Sequence, residues 1–213
     1  MKITLLGNPS IPSVGVTVTS LTALLGPEDI EILSSHESCT GGEFLFALSY
    51  PKVISEETRR LYGHCFVLHG SNLPDGRGWS PVTWQILDGE TLFTMSLIHM
   101  SDPVDSGNIV AQREFRVNQD LLFKEISAAI GHAQADLIGA SLRMTTEQLM
   151  GAKQVGTPSY FERRSPSDSE IDPNRPLSEQ WDKLRVADPS RYPSFFNFLG
   201  HKYLLKVERY SDD

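Results

Sequence analysis

Long apolar runs are missing from this chain, and their absence argues against an integral membrane protein. No run of about eighteen apolar residues occurs, which is the length that a membrane-spanning helix requires. The segment after Met1 meets Gly7 and Pro9 before an apolar region as long as that of a signal peptide has formed. We therefore expect a cytoplasmic protein with no membrane partner.

Cysteine and positive charge are also scarce. Cys39 and Cys65 are too few for a disulfide framework and lack the paired spacing of zinc sites, so we expect two buried or incidental thiols and no metal. The net charge of -8 argues against a nucleic-acid partner, because binding to phosphate backbones needs lysines and arginines clustered on one face. Arg163 and Arg164 are a local exception, suited to one small phosphorylated ligand.

The residues that are present have the pattern of an α/β protein. The chain has 213 residues, of which 39% are hydrophobic and 22% charged, which is enough for one core. Short buried runs alternate with helical patterns, and this alternation predicts a mostly parallel sheet. We expect a catalytic domain over residues 1–150 and an extension over residues 151–213 that packs on it and ends in a β-hairpin.

Hydrophobic periodicity predicts the order of the elements. In the first half we expect strands at residues 2–6, 29–34, 44–49 and 64–68, a helix at 55–62, and a helix or a further strand at 16–25, with the helix favoured. In the second half we expect a helix at 81–88, strands at 92–100 and 109–117, a helical stretch at 118–150, a Pro-rich wrap at 151–176 and a helix at 177–186. Gly131 and Gly139 mark places where the long helical stretch can bend or break.

One histidine and one aspartate lie where such a sheet binds its ligands. His69 directly follows a predicted buried strand, and ligands of parallel sheets lie beyond the carboxyl ends of the strands. Asp105 lies in a turn between the two later strands, which would return the chain to the same sheet edge. Without further information His69 is more typical of an ordinary loop histidine, and Asp105 of a turn that its own side chain stabilises.

The residue types suit transfer of an acyl group to an amine. Such a catalyst must accept a proton from the attacking nitrogen and stabilise an oxyanion. Histidine suits proton transfer because its unperturbed pKa of about 6.5 lies near working pH, and a neighbouring carboxylate orients the ring.

The motifs around these residues resemble a known family. They are Val67-Leu-His-Gly-Ser-Asn-Leu-Pro-Asp-Gly-Arg-Gly78, Trp84-Gln-Ile-Leu-Asp-Gly-Glu90 and Val104-Asp-Ser-Gly-Asn-Ile-Val-Ala-Gln112. In this order they resemble the core of the formyltetrahydrofolate-dependent formyltransferases, over roughly residues 43–135. The resemblance implies a Rossmann-like formyltransferase core, His69 as the catalytic histidine and Asp105 as its acidic partner.

The chain departs from the family pattern at one position. The family has Asn-x-His, and Val67 stands in the place of the asparagine, so the side chain there has no donor for an oxyanion. Asn72 replaces an aliphatic residue of the family's Ser-Leu-Leu-Pro pattern. We therefore predict that Asn72 supplies the missing amide.

The second half resembles the sugar N-formyltransferases within that family. The segments that carry this resemblance are residues 160–172 and 184–195, and the chain is expected to be too short for a separate tRNA-recognition barrel. The implied acceptor is the amine of a UDP- or dTDP-linked 4-amino-4,6-dideoxy sugar, such as a pseudaminic-acid precursor, for surface glycans such as lipopolysaccharide. The substrate-binding residues expected from the loop and the extension are Arg77, Gly78, Trp79, Arg163, Arg164 and Tyr192.

The resemblance also implies a co-substrate, a mechanism and an assembly. The formyl donor would be 10-formyltetrahydrofolate, held by Tyr50, Ser101, Asp102 and Val104. The sugar amine would attack the formyl carbon, His69 would accept its proton, and Asp105 would align His69 or a bridging water. We expect a homodimer. Two alternatives stay open, which are a formyltetrahydrofolate hydrolase and a non-catalytic protein that binds a nucleotide sugar or folate.

Overall fold

The computed structural model describes residues 2–210. It has ten strands, namely β1 (Ile3–Leu6), β2 (Ile30–Leu33), β3 (Gly42–Leu48), β4 (Tyr62–His69), β5 (Arg77–Gly78), β6 (Leu92–His99), β7 (Ile109–Arg116), β8 (Tyr160–Phe161), β9 (Ser194–Phe198) and β10 (His201–Leu205). Its α-helices are α1 (Pro12–Leu25), α2 (Glu56–Arg59), α3 (Pro81–Leu87), α4 (Phe123–Ser141), α5 (Thr146–Leu149) and α6 (Trp181–Arg185). Four 3₁₀ turns join them, at Pro27–Asp29, His36–Ser38, Pro166–Ser169 and Leu177–Gln180.

A six-stranded sheet in the order β2-β1-β3-β4-β6-β7 forms the centre of the fold. The pairings among β2, β1, β3 and β4 are parallel. β6 then runs antiparallel to β4, and β7 antiparallel to β6. The predicted α/β class with a mostly parallel sheet is confirmed, and so is the final hairpin, formed by β9 and β10.

Both faces of the sheet are apolar because its inner strands are hydrophobic at successive positions. Phe44, Phe46 and Phe66 point to the side covered by α1 and α4, where they join Ala133 and Leu137 in one buried cluster. On the opposite face a second group, here called the loop-side cluster, consists of Leu6, Leu45, Ala47, Ile54 and Tyr62. Loops cover this second face, which leaves it as the face where a site can be built.

The long helical stretch differs from its prediction in two respects. It divides into α4 and α5, and α4 continues through Gly131 and Gly139 without a break. These glycines serve packing, because a Cβ atom at Gly131 would lie 2.6 Å from the carbonyl oxygen of Ser13, and one at Gly139 would lie 3.0 Å from Leu24. The prediction of a break at these glycines is therefore wrong, and they let α4 lie close to α1.

The predicted helix at residues 55–62 is shorter than expected. α2 is a single turn, with the Ser55 side chain accepting a hydrogen bond from the Thr58 backbone amide. β4 begins at Tyr62, so pairing with β3 ends the helical segment early.

The C-terminal segment returns to the loop that follows β4. β8 pairs in parallel with β5, which places Tyr160 and Phe161 beside Arg77 and Gly78. Between residues 2 and 210, no helix is both long and apolar enough to cross a membrane.

Candidate active site

His69 is the last residue of β4 and is buried, with 6% of its surface exposed. Side chains alternate along a strand, so its ring lies on the same face as Val67 and the loop-side cluster. The Nε2 atom lies 2.8 Å from the carbonyl oxygen of Gly76. A carbonyl oxygen only accepts hydrogen bonds, so this contact assigns a hydrogen to Nε2.

Asp105 reaches His69 by a route that differs from the expected one. β6 ends at His99, which pairs with Phe66, whereas His69 pairs with Ser96. The strand therefore passes His69 at Ser96 and leaves the sheet about 10 Å further on, at the rise of a β-strand. The loop runs back over the face of the sheet and places Asp105 Oδ1 3.6 Å from His69 Nδ1. The two residues predicted to meet do so through this folded-back loop.

The backbone around Asp105 holds its carboxylate in place. Asp105 has a φ of 59°, in the left-handed region that aspartate tolerates better than most residues. Its second carboxylate oxygen accepts a hydrogen bond of 3.0 Å from the backbone amide of Gly78. The loop after β4 and the loop after β6 are thus joined at the carboxylate itself.

Both ring nitrogens of His69 face hydrogen-bond acceptors, namely the Gly76 carbonyl and the Asp105 carboxylate. A neutral imidazole satisfies one of these acceptors, and an imidazolium satisfies both. The pair is buried, so little water screens the charge of Asp105 from the ring. This geometry stabilises the cation that forms when the ring accepts a proton.

Two glycines allow the C-terminal segment to lie against the loop that contacts His69. Gly76 and Gly78 have φ angles of 71° and 97°. A Cβ atom at Gly78 would lie 2.4 Å from the carbonyl oxygen of Phe161, and one at Gly76 would lie 2.7 Å from the Phe161 ring. A side chain at either position would push β5 away from β8.

Asn72 follows His69 by three residues, and its side chain contacts Gln112. It is exposed, and its Oδ1 atom accepts a hydrogen bond of 3.0 Å from Gln112 Nε2. Gln112 also donates to the hydroxyl of Ser96, which is the residue opposite His69 in the sheet. Within residues 2–210 the Asn72 amide nitrogen makes no hydrogen bond, so its role as an oxyanion donor stays a prediction. Val67 is half-buried against the loop-side cluster.

Two segments expected to hold a folate pack against one group of side chains. Tyr50 and Met100 both contact the loop-side cluster, so residues 50–54 and the start of the loop after β6 lie on the same face of the sheet. The Tyr50 hydroxyl accepts a hydrogen bond of 3.1 Å from the His36 backbone amide. In the loop itself the Ser101 hydroxyl donates to the Pro103 carbonyl at 3.2 Å, and the Val104 side chain is exposed.

A cleft of about 490 Å³ opens on the outer side of the same loop. Asp102 lies at its wall, paired at 2.5 Å with Arg59. His69 and Asp105 do not line this cleft, so the cleft does not contain the proposed catalytic pair. The other lining residues are Glu56, Tyr62, Gly63, His64, Cys65, His99 and Met100.

The predicted acceptor-side residues fall into two groups. Trp79 and Arg163 lie at the surface, where the Arg163 guanidinium stacks 4.9 Å from the Trp79 ring centroid. Arg164 is buried, stacks 5.1 Å from the ring of Tyr192 and donates to the Ser169 hydroxyl. Burial lowers the pKa of Arg164 from its ordinary value. Arg163 is therefore available to a ligand, whereas Arg164 is enclosed by its neighbours.

Gln154 also belongs to this site, although no sequence pattern distinguishes it. Its side chain bonds Arg77 on one side and the backbone of the Asp105 loop on the other. A lone glutamine in a polar, Pro-rich stretch carries no sequence signal of such a contact. No group of three or more potential metal-ligating side chains occurs among residues 2–210.

A family model and a curated relative match this chain. The model described as formyl transferase matches residues 29–141, more than half of the chain. The bifunctional polymyxin resistance protein ArnA of Wigglesworthia glossinidia brevipalpis is 26% identical over 166 residues, which are 76% of this chain and 25% of that protein. The chain thus spans about a quarter of the length of this relative.

Solved structures share the fold. A methionyl-tRNA formyltransferase from Clostridium thermocellum has a TM-score of 0.81 at 21% identity, covering 100% of this chain and 94% of that one. A 4-N formyltransferase from Francisella tularensis has a TM-score of 0.70 at 16% identity, covering 99% and 98%. HypX from Aquifex aeolicus in complex with tetrahydrofolic acid has a TM-score of 0.72 at 17% identity, covering 97% and 37%.

Proposed function

Because the chain belongs to the formyl transferase family, we propose that it transfers the formyl group of 10-formyltetrahydrofolate to the amine of a nucleotide-linked amino sugar. One observation carries the proposal, which is the buried pair of His69 and Asp105 between two loops at the carboxyl end of β4. A buried histidine with a carboxylate partner is the arrangement that proton transfer from an attacking amine requires.

The folate donor is supported by a relative and by the chemistry of the loop-side face. HypX, which shares the fold, is described in complex with tetrahydrofolic acid. In this chain Tyr50 and Met100 lie against the loop-side cluster on the same face of the sheet as His69. We assign Tyr50, Ser101, Asp102 and Val104 to this donor. When bound, this donor supplies an activated formyl carbon. The flat ring of the folate suits a site with apolar side chains on one face and backbone hydrogen-bonding groups at its edge.

His69 and Asp105 carry the proton in this account. When the acceptor amine enters, the ring of His69 releases the Gly76 carbonyl and takes the tautomer with its hydrogen on Nδ1, which faces Asp105, so that Nε2 accepts the amine proton. The bond from the formyl carbon to the folate nitrogen then breaks, and the imidazolium returns this proton to the departing nitrogen. Asp105 stabilises the resulting imidazolium and keeps the ring in orientation. Asn72, with its free amide nitrogen near the loop, donates to the oxygen on which negative charge develops.

The acceptor would lie where the loop after β4 meets the C-terminal segment. A 4-N formyltransferase shares the fold over nearly its whole length, which supports an amine at position 4 as the acceptor. We propose that this amine belongs to a UDP- or dTDP-linked 4-amino-4,6-dideoxy sugar of surface glycan synthesis, such as a pseudaminic-acid precursor. Arg163 over Trp79 offers a cation and an aromatic face at the surface to a diphosphate and a base. We place Arg77, Gly78 and Tyr192 around it, and propose that the enclosed Arg164 contributes by holding the ring of Tyr192 from the protein side.

A homodimer, acting in the cytoplasm, completes the proposal. The β9–β10 hairpin exposes Phe198, Leu199 and Leu204, the last two by 80% and 72% respectively. Apolar side chains so exposed on one hairpin are typical of a protein interface. Light scattering of the wild type against Leu204→Lys tests this, with a dimer expected for the wild type and a monomer for the variant.

The experiment for the acceptor is a binding screen followed by turnover. Ligands that bind the folded state raise its melting temperature, so UDP- and dTDP-amino sugars are screened by thermal shift with a folate analogue present. The sugars that bind are then incubated with 10-formyltetrahydrofolate, and N-formyl product is measured. Product from an amino sugar supports the proposal, whereas formate release alone indicates a hydrolase, and binding without chemistry indicates an accessory protein.

Methionyl-tRNA is a second candidate acceptor, favoured by the TM-score of 0.81 to a methionyl-tRNA formyltransferase. The net charge of -8 opposes it, since tRNA binding depends on positive charge. The same assay with charged initiator tRNA decides, and formylation of methionyl-tRNA but not of any amino sugar would replace the sugar proposal.

A further inference from the structure

We propose that Gln154 is a positioning residue, whose side-chain amide fixes the loop that carries Asp105 against the loop that carries Arg77. The proposal rests on the assignment of His69 and Asp105 as the reacting pair. It adds that the reactive geometry depends on a residue outside the segment matched by the family model, which ends at residue 141.

The backbone first brings Gln154 to the loop. Ile109 and Ala152 form a pair of backbone hydrogen bonds, each of 2.8 Å, just after the Asp105 loop. Gly151, with a φ of 61°, makes the close approach possible, because a Cβ atom there would lie 2.5 Å from the Ile109 carbonyl oxygen. Gln154 follows this anchor by two residues, within reach of the loop.

The amide of Gln154 then uses both of its N–H donors and one of the two lone pairs of its oxygen. Its Nε2 atom donates to the carbonyl oxygens of Asp105 and Gly107, at 2.8 and 2.9 Å. Its Oε1 atom accepts from the Arg77 guanidinium at 2.6 Å. A primary amide has two N–H donors and one carbonyl, so no other uncharged side chain of this length makes the same three contacts.

These contacts affect the position of Asp105 relative to His69, because one of them is made to the backbone of Asp105 itself. The carbonyl of Asp105 is fixed by Gln154 while its carboxylate accepts from Gly78 and faces His69. The left-handed φ of Asp105 leaves the loop a more relaxed alternative if the amide is lost. Small displacements at a reacting centre have large kinetic effects, so we expect Gln154 to act on kcat more than on KM.

The test uses two variants of Gln154 and a matched control. Gln154→Met keeps the length and removes all three contacts, whereas Gln154→Glu keeps an acceptor for Arg77 and turns an oxygen towards both carbonyls. Gln180 is the control, since its Nε2 atom also donates to backbone carbonyls, those of Asp172 and Arg175, away from His69. Gln180→Met therefore loses comparable contacts without touching the pair.

Two readouts separate positioning from mere stability. We expect Gln154→Met and Gln154→Glu to lower kcat about 10- to 100-fold with a smaller change in KM, and Gln180→Met to lower only the melting temperature. The backbone amide signal of Gly78, which donates to Asp105, is the second readout. In two-dimensional NMR we expect it to move in Gln154→Met in the direction seen in Asp105→Ala, and to stay unchanged in Gln180→Met.

The NMR readout also keeps this proposal separate from the proposed function. It needs no substrate, so a shifted Gly78 signal supports the role of Gln154 even if no acceptor in the panel is formylated. A Gly78 signal that is the same in Gln154→Met as in the wild type would overturn the proposal. So would a kcat within twofold of the wild type in both Gln154 variants, even where formyl transfer itself is confirmed.

Discussion

The Nδ1 atom of His69 lies 3.6 Å from Oδ1 of Asp105, and both side chains are more than nine-tenths buried. His69 is the last residue of β4 and Asp105 lies in the loop after β6, and the backbone amide of Gly78 links the segment after β4 to that loop by donating to the other carboxylate oxygen. The contact is long for a hydrogen bond, and catalytic contacts of this kind shorten when substrates bind. The predictions below follow from this pair and its supports.

Replacing Asp105 by asparagine should slow turnover without unfolding the protein. The amide keeps the shape of the side chain but removes the charge that stabilises the His69 imidazolium, so we expect kcat to fall roughly 10- to 1000-fold. Asp136→Asn is the control, because its carboxylate pairs with Arg113 at the surface and a surface pair contributes little. Equal kcat values for the two variants would remove Asp105 from the mechanism.

Asn72→Ala tests whether the side-chain amide of Asn72 takes the role of the family asparagine, which is absent at Val67. If its Nδ2 group stabilises developing negative charge, kcat should fall about 100- to 1000-fold. Gln112→Ala removes the hydrogen bond that orients Asn72, together with the one to Ser96, but leaves the Asn72 amide in place, so a smaller loss is expected there. Full turnover by Asn72→Ala would show that backbone amides or water, and not Asn72, stabilise the oxyanion.

Gly78→Ala tests the contact between the loop and the C-terminal segment. Gly89→Ala is its matched control, because both glycines have a positive φ, of 97° and 89°, but a Cβ atom at Gly89 meets nothing within 4 Å. The control should cost about 1 kcal/mol of unfolding free energy, for the backbone conformation alone. Gly78→Ala should cost more and lower kcat, since the new Cβ meets the Phe161 carbonyl. Denaturant unfolding curves that coincide for the two variants would contradict the pairing of β5 with β8.

The Cys65 thiol should react slowly with alkylating reagents. Burial raises its pKa from 9.0 to about 11, and the thiolate is the reactive form. At pH 8 the ionised fraction is then about 100-fold smaller than that of an unperturbed thiol, so alkylation of the Cys39→Ser variant, which retains Cys65, should be slower by about that factor. Reaction at the rate of a free thiol would show that Cys65 is open to solvent.

The sign of this pKa change also predicts a pH dependence of stability. A raised folded-state pKa means that unfolding releases a proton above pH 9, so the stability of the wild type should fall as the pH rises from about 9 towards 11. Cys65→Ala should show a smaller fall over this range, measured by urea unfolding.

The fold was largely predictable because it depends on local pattern. Buried runs such as those of β3 and β4, and the amphipathic face of α4, follow from the spacing of apolar residues. The antiparallel direction of β6 did not follow, since an intervening helix suits either direction. Likewise, the sequence around Gly131 is as compatible with a helix break as with close packing, and only the neighbouring α1 distinguishes the two.

The site was predictable only in part, for a related reason. His69 and Asp105 were identified through motifs that carry their own local signal. The pairing of β5 with β8 and the contacts of Gln154 depend on residues about 80 and 50 positions apart, with no periodicity in either segment. Such contacts arise from tertiary packing, which one sequence does not display.

The most direct test of the account measures formyl transfer in His69→Asn under single-turnover conditions. Wild type and variant are mixed with 10-formyltetrahydrofolate and an amino-sugar nucleotide that both bind, and N-formyl product is followed by mass spectrometry. We expect product from the wild type and a rate lower by roughly 100- to 10,000-fold in the variant, because the proton acceptor is gone. A variant that forms product at the wild-type rate would contradict the assignment of His69 as the proton acceptor.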